Sequence, residues 1–125
     1  LADSNIEFLG PLTNDAVRNL YRGSKAMLLP GEEEFGIASV EAQASGCPVI
    51  ALKRGGACET IVDGETGILV EQSTPEAFAN ALRSAQGRSF NQSIIRRNAE
   101  RFSTARFRTQ FKTAIDEALN LSGEN

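Results

Sequence analysis

In the stretch PGEEEFGIASVEAQASG, residues 30–46, Glu33 and Glu41 stand eight positions apart, with Phe35 and Gly36 between them. An ionised carboxylate only accepts hydrogen bonds, and two vicinal hydroxyls of a sugar ring offer it a matched pair of donors. A helix starting near Gly36 would turn the free N–H groups of Ile37, Ala38 and Ser39 outward, where the helix dipole favours an anion; phosphate is the natural guest. Gly36 has no Cβ, so a ligand could approach the backbone there. One carboxylate before a phosphate site and one after it suits a nucleotide-sugar, with Glu33 on the hexose and Glu41 on the ribose. A third and fourth ligand at metal-type spacing are missing, so the pair does not read as a metal site. On residue pattern alone a blander account stands equally well: Glu32, Glu33 and Glu34 as solvated loop charges, and Glu41 as a surface helix residue.

The rest of the composition narrows the chemistry. There is no histidine among the 125 residues, which removes the commonest general base and metal ligand. Without it, Cys58 has no partner to activate it as a nucleophile. The two cysteines, Cys47 and Cys58, have no metal-type spacing and read as buried or semi-buried free thiols of a cytosolic protein. A net charge of −3 offers no basic face for nucleic acid. No apolar run approaches the ~20 residues that span a bilayer, and no signal-peptide pattern opens the chain. Gly55 and Gly56 form either a backbone nest or a tight turn, and Glu59 braces that loop. Lys53 and Arg54 read as solvated, although they end a strand and could face a cleft. Gly64 and Gly67 read as turn glycines. Arg96, Arg97, Arg101, Arg106 and Arg108 read as a solvated helical face, since acids and apolar residues interleave with them.

These residues need a frame. Length allows one modest core. Short β-rich runs alternate with amphipathic helices, which predicts an α/β fold with a mainly parallel, Rossmann-like sheet. Strands are expected over Ile6–Gly10, Ala26–Pro30, Cys47–Leu52 and Thr66–Val70, the second covered on both faces. A helix capped by Thr13 or Asn14 would bury Ala16, Val17, Leu20 and Tyr21. Gly36 to Ser45 forms the next helix, closed by a left-handed cap at Gly46. About two helical turns follow the glycine pair. Ser73 and Glu76 fit a capping box, with Pro75 in the first turn. Asn91 caps another helix. The repeat of Phe107, Phe111, Ile115, Ala118 and Leu119 predicts a long final helix capped by Ser103, its phenylalanines in the core or against a further domain. Residues 122–125 read as frayed. A chain that opens almost on a strand reads as a fragment or one half of a longer enzyme.

The segment EEFGIASVEAQASGCPVIA resembles the signature of family 4 glycosyltransferases, retaining enzymes of the GT-B fold. Their pattern E-x-F-G-x-x-x-x-E, then A-x-x-x-G-x-P-V-I-A, is met by Glu33, Phe35, Gly36, Glu41, Ala42, Gly46, Pro48, Val49, Ile50 and Ala51. Glu34 stands where many members have a second glycine. GGACETIVDGETGILV, residues 55–70, is similar to the family's G-G-x-x-E-x-(I/V)-x-x-G-x-T-G-x-L-V segment, and residues 6–30 resemble the strand, helix and strand leading to the motif.

That resemblance implies the C-terminal, donor-binding domain of such an enzyme over 1–125, truncated at its N-terminus and lacking the acceptor domain. It implies Glu33 on a ring hydroxyl of the donor hexose as the catalytic residue, and Glu41 on the ribose. The backbone of Phe35, Gly36, Ile37 and Ala38 would serve hexose and diphosphate, and Leu12 would meet the nucleobase. The wording most resembles bacterial mannosyltransferases of polysaccharide and O-antigen assembly, with GDP-mannose as donor. No cofactor or metal is implied; an Arg/Lys pair gripping the diphosphate is expected upstream. The acceptor would be a saccharide or lipid-linked saccharide. The location would be cytoplasmic, with room for peripheral contact of the parent at the inner face of the membrane. Two rivals have different chemistry: a GT-B-type nucleotide-sugar 2-epimerase, which needs histidine in its cleft, and a non-catalytic nucleotide-binding module.

Overall fold

The computed structural model describes residues 6–32, 36–102 and 104–121. Residues 6–10 are exposed and form no strand; Phe8 is 82% exposed. A strand must pair its N–H and C=O groups with a neighbour, and no described strand lies beside this segment. The first helix, α1 (Asn14–Gly23), is capped by Thr13, whose Oγ1 accepts from Ala16 N–H at 3.2 Å. Ala16, Val17 and Tyr21 are half-buried, while Leu20 is exposed.

Strand β1 (Met27–Leu29) leads through α2 (Ile37–Ala44) to β2 (Val49–Leu52). A single turn, α3 (Ala57–Thr60), then leads to β3 (Gly67–Val70). The three strands form a parallel sheet in the order β1-β2-β3, with Leu28, Ile50 and Ile68 in register. β2 is central and wholly buried, as its apolar run demands. β1 is an edge among the described strands, so Leu28 is 43% exposed and the expected cover on both faces is not met. The expected second turn of α3 is also missing. Ile61 turns extended, is buried in the core, and leads to a turn in which Thr66 Oγ1 accepts from Val62 N–H at 2.9 Å.

Alternation along β2 divides the core. Val49 and Ala51 pack with Ala42, Cys47, Ala57 and Ile61 on one face. On the other face Ile50 packs with Val70, Phe78 and Ala81. The latter two come from α4 (Pro75–Gln86), so helices cover the sheet on both sides. The cap of α4 is Thr74, not Ser73: Thr74 Oγ1 accepts from Ala77 N–H at 3.1 Å. Ser73 Oγ instead donates to the carbonyl of Pro30 at 2.9 Å, tying the chain after β3 to the end of β1. Asn91 caps α5 (Gln92–Glu100) as expected, accepting from Ser93 and Ile94.

Gly67 is a strand residue, and the turn glycine of its pair is Gly64 alone, at φ 87°. A Cβ at Gly67 would lie 1.9 Å from the carbonyl oxygen of Val49, so only glycine lets β3 approach β2 this closely. The last helix, α6 (Thr104–Leu121), exposes Phe111, Ile115 and Leu119, so of the two places expected for Phe111 it does not take the core. Ser103, the Phe107 side chain and residues 122–125 lie outside the described residues.

Candidate functional site

Gly36, ahead of α2, and Gly56, in the turn after β2, meet beyond the strands, where the carboxyl ends of an open α/β sheet form the usual ligand crevice. Gly36, the residue before α2, is buried in the left-handed region at φ 67°, ψ 26°. A Cβ there would fall 2.8 Å from Thr60 Cγ2 and 2.9 Å from the carbonyl oxygen of Gly56. The glycine is therefore required by the handedness of the turn and by the chain's own packing. The space beside its Cα is filled by the Gly56 turn, which corrects the expectation that it is kept open for a ligand.

The consequence is a firmly held helix start. The N–H groups of Ile37, Ala38 and Ser39 have no carbonyl one turn back within the helix. Among the described residues no side chain caps them, and the first turn of α2 carries no acid. The positive end of the helix dipole carries no acid in that turn, so this backbone can take an anion. The glycine pair stands at the site, since Gly56 contacts Gly36 and Gly55 adopts φ 61°.

Glu41 is exposed on α2 and lines a groove of about 760 Å³ with Asn14, Val17, Tyr21, Val40 and Arg96. The groove runs between α1, α2 and α5. Leu12 lies just ahead of the Thr13 cap, 41% exposed, and does not line that groove. Glu33 and Phe35, expected at the site, lie outside the described residues. Lys53 pairs with Glu71 at 3.4 Å across the ends of β2 and β3, both side chains exposed, and Arg54 is exposed beside it. Among the described residues no three acids or cysteines gather as a metal site.

The thiols differ. Cys58, on α3, is exposed, against the expectation of burial. Cys47 is 1% exposed, and burial pushes its pKa from 9.0 up to about 11. Its Sγ lies 3.5 Å from the carbonyl oxygen of Pro48. It is a core thiol with no means of becoming a nucleophile at neutral pH.

Sequence reasoning missed the polar cluster beneath the site. Ser39 and Gln43 are 0% exposed, Thr60 2% and Asn98 8%. Gln43 Nε2 donates to Ser39 Oγ and to the carbonyl of Thr60, both at 2.9 Å. Asn98 Nδ2 donates to Gln43 Oε1 at 2.6 Å and to the same Thr60 carbonyl at 2.8 Å. Asn98 Oδ1 accepts from Arg101 Nε at 2.8 Å. Thr60 Oγ1 is 3.1 Å from both Ser39 Oγ and Gly56 O. One hydroxyl proton cannot serve both, so the arrangement that uses every proton has Ser39 donating to Thr60 and Thr60 donating to Gly56 O. The available signal was the Ser39–Gln43 spacing, which puts two polar side chains on one face of a helix.

Known proteins share this frame. Sucrose-phosphate synthase from Thermosynechococcus elongatus superposes with a TM-score of 0.70 at 26% identity, covering 92% of this chain and 30% of its own. The sheet and its flanking helices match a Rossmann-like GT-B glycosyltransferase domain. The D-inositol 3-phosphate glycosyltransferase of Corynebacterium kroppenstedtii is 42% identical over 83 residues, 66% of this chain and 18% of the relative. That of Rhodococcus opacus is 40% identical over 82 residues, 65% of this chain and 18% of the relative. The chain thus spans about a fifth of the length of the curated relatives it matches. The glycosyl transferases group 1 pattern runs over residues 1–102, through both glycine loops, α2 and the polar cluster, and the chain belongs to that family.

Proposed function

We propose that this chain is the C-terminal, donor-binding domain of a retaining glycosyltransferase that transfers a hexose from a nucleotide-diphosphate sugar. The observation that carries this is the start of α2, which no described side chain caps and whose first turn holds no acid, held by Gly36 against Gly56 at the carboxyl ends of β1 and β2. The backbone of Phe35 to Ala38 holds the diphosphate, Glu33 a hydroxyl of the hexose, Glu41 the ribose, and Leu12 the nucleobase. As the bond to the sugar breaks, charge develops on the leaving diphosphate, and the helix N–H groups face it. Oriented donors of that kind contribute on the order of 3 kcal/mol each in other enzymes. An Arg/Lys pair from the longer parent supplies the remaining positive charge, and no metal is called for.

The motif wording favours GDP-mannose as the donor and assigns the domain to family 4. Relatives named for D-inositol 3-phosphate make a small polyol phosphate an acceptor to test beside saccharide and lipid-linked ones. Among the described residues no helix is long and apolar enough to cross a membrane; contact of the parent with a membrane face would be peripheral.

Titration of GDP, UDP, ADP and GDP-mannose into the chain, followed by amide chemical shifts, tests the reading. Shifts at Leu12 and from Phe35 to Glu41, strongest with one base, are expected. Glu41→Ala should weaken the nucleoside diphosphate alone more than Glu33→Ala does, because Glu33 is assigned to the sugar. Equal losses would contradict that division, and silence with all four ligands would contradict the site.

A further inference from the structure

We propose that Asn98, on α5, is a positioning residue for the anion-binding backbone at Gly36 and Gly56. The inference rests on reading that backbone as the donor-phosphate site. Asn98 is itself buried, 8% exposed. Both protons of its Nδ2 are spent inside the cluster, one on Gln43 Oε1 and one on the carbonyl of Thr60.

Those two acceptors decide how α3 stands against α2. Gln43 reaches from α2 to the Thr60 carbonyl through Nε2. Thr60 in turn faces Gly36, its Cγ2 only 2.8 Å from where a Cβ there would lie, and its backbone N–H and Oγ1 hold the Gly56 carbonyl. A Gln amide can turn over, exchanging its oxygen and nitrogen. Turned over, Gln43 would set its oxygen against the Thr60 carbonyl, two acceptors facing each other with no proton between. Asn98 prevents this by giving Gln43 Oε1 a donor on the opposite side. A buried polar side chain costs desolvation unless it is fully bonded, and α5 already anchors itself through Ile95 and Ala99, 0% and 6% exposed. Packing α5 therefore does not require an asparagine. The bonds run unbroken from Asn98 through Gln43 and Thr60 to the Gly56 carbonyl, against which Gly36 packs, and that path is what an asparagine provides.

The test uses the whole chain and three variants, all measured well below their melting temperatures. Asn98→Leu keeps the number of side-chain heavy atoms and their branching and removes both donors. Gln43→Met breaks the same link from α2. Ile95→Val, on the same helix, loosens packing without touching the cluster. Whichever of GDP, UDP and ADP binds wild type most tightly serves as the probe. N98L and Q43M are each expected to weaken it about five- to tenfold, the loss of about one aligned N–H contact. Both should move the amide signals of Gly36, Ile37 and Gly56, and the double variant should bind no worse than the weaker single, since both cut one path. I95V should lower the melting temperature and leave affinity and those signals unchanged. If N98L does not fold, Asn98→Ser carries the same test. A folded N98L with wild-type affinity and unmoved signals would overturn the inference, as would an I95V that weakens binding equally. If wild type binds none of the three diphosphates, the functional reading fails. The glycine signals then decide the positioning role: moved in N98L and Q43M alone they support it, unmoved they refute it.

Discussion

Gly36→Ala is the sharpest probe of the site, because the structure assigns two separate penalties to one methyl group. The first is conformational: an L-residue in the left-handed region costs roughly 1–2 kcal/mol. The second is steric. The new Cβ would sit 2.8 Å from Thr60 Cγ2 and 2.9 Å from Gly56 O, and neither can step aside cheaply. Thr60 is 2% exposed, and the Gly56 carbonyl is held at 3.1 Å by the N–H groups of Glu59 and Thr60 and by Thr60 Oγ1. Forcing a methyl group into a packed site costs about 1–3 kcal/mol. Together the loss is about 2–5 kcal/mol, a large part of the roughly 5–15 kcal/mol that holds a domain together. Two other glycines separate the terms. At Gly10, φ is 68° but nothing lies within 4 Å, so Gly10→Ala pays at most the conformational cost. Gly31 has open space and no left-handed backbone, so Gly31→Ala should be neutral or slightly stabilising. Urea unfolding followed by circular dichroism ranks the three. A G36A loss no larger than that of G10A would refute the claim that Gly36 is required by contact with the Gly56 turn.

Gly67→Ala should be costlier still, more than about 4 kcal/mol, because a Cβ 1.9 Å from the Val49 carbonyl must part β2 from β3; a cooperative unfolding curve near that of wild type would contradict the register. Cys47 makes stability depend on alkaline pH. Its folded pKa of about 11 lies above the ordinary 9.0, so the contribution is complete below pH 9 and is lost as pH rises toward 11. About two pH units correspond to a loss on the order of 2–3 kcal/mol. Urea midpoints at pH 8 and pH 10.5 should fall further for wild type than for Cys47→Ala, and equal falls would sink the assignment. A thiol reagent at pH 8 should label exposed Cys58 promptly and Cys47 only on unfolding; simultaneous labelling in the native state would contradict the burial of Cys47.

Much of the frame was legible because it depends on near neighbours in sequence. Thr13, Asn91 and Gly46 end helices through bonds that span a few residues, and those ends stand where the sequence places them. The apolar run Cys47–Leu52 marked a strand, and the wholly buried β2 stands there. Cover on both faces, expected of Ala26–Pro30, failed at β1, since apolarity reports what a strand can bury and not whether a neighbour is present. At Ser73 the local capping rule lost to a contact 43 positions away, the carbonyl of Pro30. The groove-facing place of Glu41 follows from the packing of α1, α2 and α5, which no spacing within α2 discloses.

By itself the sequence determined the alternation of strands and helices and the glycosyltransferase motif. Those follow from short-range propensities and from the chemistry of single side chains. Tertiary structure alone decided why the glycines are glycines. Gly36 faces Gly56 across 20 residues of chain, and Gly67 faces Val49 across the sheet. It also decided that Gln43 and Asn98, 55 positions apart, share one buried cluster. Buried polar groups choose partners by proximity in space, and that proximity exists only once the helices have packed.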